Sequence, residues 1–120
     1  MSKHPVKIKR IYDPSVAEDG QRVLVDRLWP RGVKRADARL GAWLREVAPS
    51  DDLRRWYGHD VARWEEFAAR YRAELADAAH QEALAQLRQM TERGPLTLLF
   101  AAKDVAHSQA EVLRQVLESS

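Results

Sequence analysis

The strongest constraint on this chain is the run Leu96-Thr-Leu-Leu-Phe-Ala101, set between the break Gly94-Pro95 and the polar Lys103-Asp104. No position in it is charged, so neither face favours water. Such a strand is buried on both faces and needs other structure packed above and below it. Two more strands precede it. Val6–Tyr12 is rich in Val, Ile and Tyr and stops at the turn signal Asp13-Pro14. After a polar loop over 13–21 ending at Asp19-Gly20, Arg22–Leu28 carries the short buried run Val23-Leu24-Val25.

Helical periodicity fills the interval between the second strand and the last. The spacing predicts a helix over Ala36–Val47, with Leu40, Trp43, Leu44 and Val47 on one face. Pro49-Ser50 resets the chain; Ser50 then caps a short helix, with Asp51 and Asp52 in its first turn and Gly58 at its end. Asp60 caps the longest helix, whose stripe is Val61, Trp64, Phe67, Ala68, Tyr71 and Leu75, while Glu66, Arg70 and Glu74 lie four apart on another face. A helix over 79–92 turns Leu84, Leu87 and Met90 inward, and Asp104 caps a last helix striped by Ala106, Ala110, Leu113 and Leu117.

Length and composition narrow the class. The 120 residues make one domain, residues 1–120, long enough to bury roughly two-thirds of its unfolded surface. No apolar run approaches the roughly 20 residues of a membrane helix, and the basic N-terminus lacks the apolar core of a secretory signal. The chain has no cysteine, which excludes disulfides, thiolate nucleophiles and sulfur-bound metal. A bacterial-type cytoplasmic protein is expected. The five glycines are too scattered for a dinucleotide or phosphate-binding loop, and neither a Gly-x-Ser-x-Gly elbow nor a His-Glu-x-x-His pair is present. Charge is uneven: residues 1–45 hold 11 Lys/Arg against 5 Asp/Glu, and residues 46–120 hold 9 against 13. The basic third can steer a phosphate-bearing ligand or nucleic acid, or it is a solvated surface.

Three segments carry candidate chemistry. In Asp26-Arg-Leu-Trp-Pro-Arg-Gly32, the forks of Arg27 and Arg31 can converge on a carboxylate or phosphate while Trp29 stacks on a flat group. The competing reading pairs Asp26 with an arginine and leaves Trp29 packing. In the junction 100–108, Lys103, Asp104 and His107 sit where the last strand enters the last helix, and free N–H groups at a helix start attract anions. A capped helix with exposed side chains is the plain alternative. His59-Asp60 is the third, with His59 and His107 as candidate acid/base residues. Asp26, His59, Asp60 and His107 together make a hard metal site only as a minor reading, and no metal or cofactor is assigned. Trp43, Trp56, Trp64 and Tyr71 fall at helical spacing and read mostly as core.

Val23-Leu-Val-Asp-Arg-Leu-Trp-Pro-Arg-Gly32, Leu53-Arg-Arg-Trp-Tyr-Gly-His-Asp60, Arg63-Trp-Glu-Glu-Phe67, Arg70-Tyr-Arg-Ala-Glu-Leu75 and Leu96–His107 occur in order along nearly the whole chain. Together with Ala48-Pro-Ser they resemble the YeaO-like family of bacterial proteins, a family of unknown function. The resemblance implies a small cytoplasmic α/β protein and brings no activity with it. Its longer members place a helix between the first two strands, and some place cysteines near the last strand–helix junction. Phe100 and Ser108 stand at that junction here, which removes thiol chemistry. The connection 13–21 is short enough to favour antiparallel pairing by itself. The resemblance implies instead a mostly parallel sheet of about three or more strands, flanked by helices, with a helical insertion between the second strand and the last.

The expected function is a small-molecule site for an anionic, partly aromatic ligand, with catalysis left open. Asp26, Arg27, Trp29, Arg31, Lys103 and Asp104 are its expected binding residues, and no membrane partner is expected. The alternative is a nucleic-acid or protein-binding module using the basic N-terminal third.

Overall fold

The computed structural model describes residues 4–119; Met1–Lys3 of the basic N-terminal stretch and Ser120 lie outside them. Four strands, β1 (Val6–Arg10), β2 (Gln21–Leu24), β3 (Ala42–Trp43) and β4 (Leu96–Phe100), form one sheet in the order β1-β4-β2-β3, and every pairing is parallel. The resemblance was right about direction, and the topology explains how so short a link allows it. The first two strands do not pair, because β4 lies between them. Residues 11–20 only have to return across one strand, which ten extended residues do with room to spare.

Among the described residues five α-helices accompany the sheet, α1 (Arg35–Ala38), α2 (Asp51–Tyr57), α3 (Trp64–Glu74), α4 (Ala78–Arg93) and α5 (Gln109–Glu118), with short 3-10 turns between them. One face of the sheet presents Val6, Val23, Leu96, Leu98 and Phe100, and these join Phe67, Tyr71, Leu84, Leu87 and Leu113 in the main core. The other face presents Leu24 and Leu99, covered by Ile11, Ala38, Trp29 and Trp43. β4 is therefore buried from end to end.

On the second face the crossover is pinned by charge. Asp19, 3% exposed, takes Arg22 Nη1 at 2.5 Å and Lys9 Nζ at 3.0 Å, while the Thr97 hydroxyl donates to its backbone carbonyl at 2.7 Å. Burial raises the Asp19 carboxyl, but the Lys9, Val16 N–H and Arg22 hydrogen bonds outweigh it and hold the group below its ordinary value. At Gly20 the backbone takes φ 63°, and a Cβ there would meet the Pro95 carbonyl at 2.5 Å. Only glycine fits where the crossover enters β2.

The helix expected over Ala36–Val47 is a correction. It stops at Ala38, because Arg39 adopts a left-handed conformation and Arg22 takes the carbonyls of Ala38 and Arg39. Gly41 then donates to the Arg22 carbonyl at 2.7 Å and Leu44 to that of Leu24 at 3.0 Å, making Ala42–Trp43 an edge strand. The extended chain sends Leu40 and Trp43 to the second face and Leu44 and Val47 to the main core. Sheet hydrogen bonds outweighed local periodicity.

The later helices follow the sequence closely, with exceptions at their ends. Ser50 caps α2 and Gly58 closes it. Asp60 caps a 3-10 turn, Val61–Arg63, that leads into α3, so Val61 is exposed rather than core. The longest helix is α4, not α3. Glu66 pairs with Arg70, while Glu74 accepts from the Ser50 amide and hydroxyl. Asp104 does not cap α5. It binds His107 instead, Ser108 takes the cap position, and Ala106 lies outside the helix.

Candidate functional site

Parallel strands bring their C-terminal ends to one edge, so the loops that follow them meet there. The Val25 amide donates to the Leu99 carbonyl at 3.0 Å, which places Asp26 beside the end of β4. The Asp26 carboxyl is shared between two segments distant in sequence: Oδ2 accepts from the Ala101 amide at 3.0 Å and Oδ1 from Gln109 Nε2 at 2.5 Å. Burial pushes this carboxyl up to about 6, against the two N–H bonds and the charge of Arg54, which pull it down.

Around Asp26 opens a cavity of about 390 Å³. Leu28, Trp29, Pro30, Pro49, Tyr57 and Phe67 form its apolar walls, and Arg54, Arg55, His59 and His107 add charge or titratable nitrogen. Its size suits a small ligand.

Both walls are held by arginine forks. Arg10 donates through Nε to the Ala102 carbonyl at 3.0 Å and through Nη2 to that of Ala101 at 3.2 Å. Arg27 does the same on the other side, to Pro49 at 3.0 Å and Ala48 at 3.1 Å. The 47–50 segment is further fixed by Tyr71 on the Val47 carbonyl at 2.5 Å and His80 Nε2 against the Ala48 carbonyl at 2.9 Å. Tyr57 stacks on Phe67 with ring centres 4.2 Å apart and donates its hydroxyl to the His107 carbonyl at 2.8 Å. Burial, with the charges of Asp104 and Asp60, raises the Tyr57 hydroxyl, so it stays a donor. Arg10, Arg27, Tyr57 and Tyr71 thus spend these hydrogen bonds on holding the walls.

Of the residues expected from sequence, Asp26, Arg27, Trp29, His59 and His107 line this cavity. Arg27 does so with its Nε and Nη2 already engaged on carbonyls. The Trp29 indole donates to the Val33 carbonyl and its ring meets Trp43 edge-on at 5.3 Å, with Arg35 over its face. Arg31, Lys103 and Asp104 lie outside the lining. Arg31 is exposed beyond the buried Pro30, in a turn whose Arg31 carbonyl accepts from Tyr12. Asp104 holds His107 Nδ1 at 2.7 Å, and Trp64 meets that imidazole edge-on at 5.3 Å. His59 follows Gly58 in a second left-handed conformation, φ 58°, a strained backbone at the cavity edge. Among the described residues, no group of three or more His, Asp or Glu side chains is placed to hold a metal ion.

Sequence reasoning passed over Arg54, Arg55, Tyr57 and Gln109. The first three stand inside the motif Leu53–Asp60, where two adjacent arginines before an aromatic were the available signal. Gln109 gave none, since a glutamine at a helix start is ordinary.

Comparison with known proteins places this chain in a family. The family described as the inactive DUF488-N3 subclade matches residues 5–120. Uncharacterized proteins of Mycobacterium tuberculosis and Mycobacterium bovis are 49% identical over 112 residues, covering 93% of this chain and 92% of theirs. The uncharacterized protein YeaO of Escherichia coli is 41% identical over 114 residues, covering 95% of this chain and 97% of its own. No solved structure matches the chain.

Proposed function

The chain belongs to the inactive DUF488-N3 subclade of YeaO-like proteins, and from that premise we propose that residues 1–120 act as one cytoplasmic domain that binds a small anionic molecule without transforming it. The observation that carries this reading is the cavity at the C-terminal edge of the sheet, with Arg54 and Arg55 on its lining. Parallel sheets bind ligands at this edge. Arg54 is shared with Asp51 at 3.2 Å, whereas Arg55 has no side-chain partner among the described residues, so its fork is free for a ligand.

Binding is favoured over catalysis by the word inactive in the family's description. His59 and His107 become ligand contacts, with His107 oriented by Asp104. The nucleic-acid alternative draws less support. Lys9 and Arg22 are spent on Asp19, Arg10 and Arg27 on backbone carbonyls, and Arg35 on two indoles.

Thermal melts with phosphate, sulfate and nucleotides test the proposal, because a ligand that binds only the folded chain raises its midpoint. A rise that disappears in Arg55→Ala supports it. No rise with any of them at millimolar concentration would end it.

A further inference from the structure

An ionised carboxylate accepts hydrogen bonds at about four positions, two on each oxygen. In Asp26 the Ala101 amide takes one on Oδ2 and Gln109 takes one on Oδ1. No third donor reaches either oxygen among the described residues, so each keeps an open position beside a cavity with apolar walls. Asp26 is half-buried, so a donor that enters the cavity can use those positions.

Resting on the binding role proposed above, the geometry points to a ligand with a paired N–H edge seated on the Asp26 carboxylate and an anionic group held by Arg54 and Arg55. Two open positions on one planar carboxylate match two parallel N–H donors, as a guanine edge or a guanidinium presents, better than a single hydroxyl. Adenine fits worse, because the ring nitrogen beside its amino group turns a lone pair toward the second oxygen. A planar head also suits walls built from Trp29, Pro30, Pro49 and Tyr57. The opposite end needs negative charge, because guanidinium forks recognise phosphate and carboxylate. Guanine nucleotides and guanidino acids both combine these two ends.

Isothermal titration of the full chain near neutral pH separates the cases, using guanosine monophosphate, L-arginine, adenosine monophosphate, ribose 5-phosphate and inorganic phosphate as probes. Guanosine monophosphate or arginine is expected to bind at least about tenfold more tightly than the three probes lacking a paired donor edge. Which of the two does so identifies the source. Asp26→Asn places an amino group where an oxygen accepted, so it should remove this advantage and leave phosphate binding in place. That variant also disturbs the bonds to Ala101 and Gln109, so the ranking on the unaltered chain is a sufficient test by itself. Equal affinity for all anionic probes, or a ranking that survives in folded Asp26→Asn, overturns the donor-edge inference and spares the anion site. No binding by any probe overturns both.

Discussion

Gln109 donates its side-chain N–H to the Asp26 carboxyl at 2.5 Å, joining the first residue of α5 to the end of β2 across 83 positions of sequence. The last helix is thus docked on the same group that faces the cavity. Anything that changes the charge of Asp26 acts on the ligand site and on helix docking together.

That link sets a pH dependence. Burial raises the folded Asp26 carboxyl from 3.8 to about 6, so between these values the folded chain holds a proton that the unfolded chain has released. The contribution is fully present below the unfolded value and is lost as pH rises through about 6. That difference corresponds to roughly 2–3 kcal/mol. Urea unfolding of the unaltered chain and Asp26→Asn across this window should diverge by about that amount, with the unaltered chain losing ground as pH rises. Parallel curves would refute it.

Asp19 acts in the opposite direction. Its folded carboxyl is held low, so its contribution is present above the unfolded value and is lost as pH falls. Arg22→Met leaves this buried carboxylate with Lys9 as its one charged partner, beside the Val16 amide, and should cost about 3–5 kcal/mol. Adding Asp19→Asn should cost less than the sum of the two single changes, as for groups in contact. Additive losses in denaturant melts would show that the pair does not act as a unit.

Arg27 and Arg55 should separate fold from binding. Arg27→Ala frees two carbonyls of the 48–49 segment and should lower stability by about 1–3 kcal/mol. Arg55→Ala should change stability by under about 0.5 kcal/mol while weakening anion binding. The reverse pattern in paired melts and titrations would exchange their roles.

Two glycines with positive φ should respond unequally. Gly32 has φ 75° and open space around a built Cβ, so Gly32→Ala should cost roughly 1–2 kcal/mol for the backbone alone. Gly20→Ala meets the Pro95 carbonyl as well and should cost clearly more. Equal costs would mean that the crossover shifts freely away from Pro95.

Where burial alone decides conformation, the sequence was legible. The apolar run in β4, the stripe Phe67–Tyr71–Leu75 and the cap at Ser50 all read correctly, since each depends on residues close in the chain. The segment 36–47 did not, because its conformation is set by Arg22, Leu24 and the β2 edge, none of which its own periodicity reports. The site divided along the same line. Asp26, Trp29, His59 and His107 drew attention by type and place. The roles of Arg10 and Arg27 were hidden, because a guanidinium bound to backbone carbonyls leaves no mark in the sequence of its partner.

The strand order has a consequence for synthesis. The strand that joins β1 to β2 is the last of the four to be made, so a nascent chain that stops short of Leu96 holds β1 on one side and the β2–β3 pair on the other, with nothing between them. Neither part has its hydrogen-bonding partner, and most of the contacts that would close the sheet span more than 70 residues. Such edges pair readily with other chains while they wait. For this topology, the interval on the ribosome before residues 96–100 emerge is the period of greatest exposure to aggregation, and a chaperone acting then would protect the whole molecule.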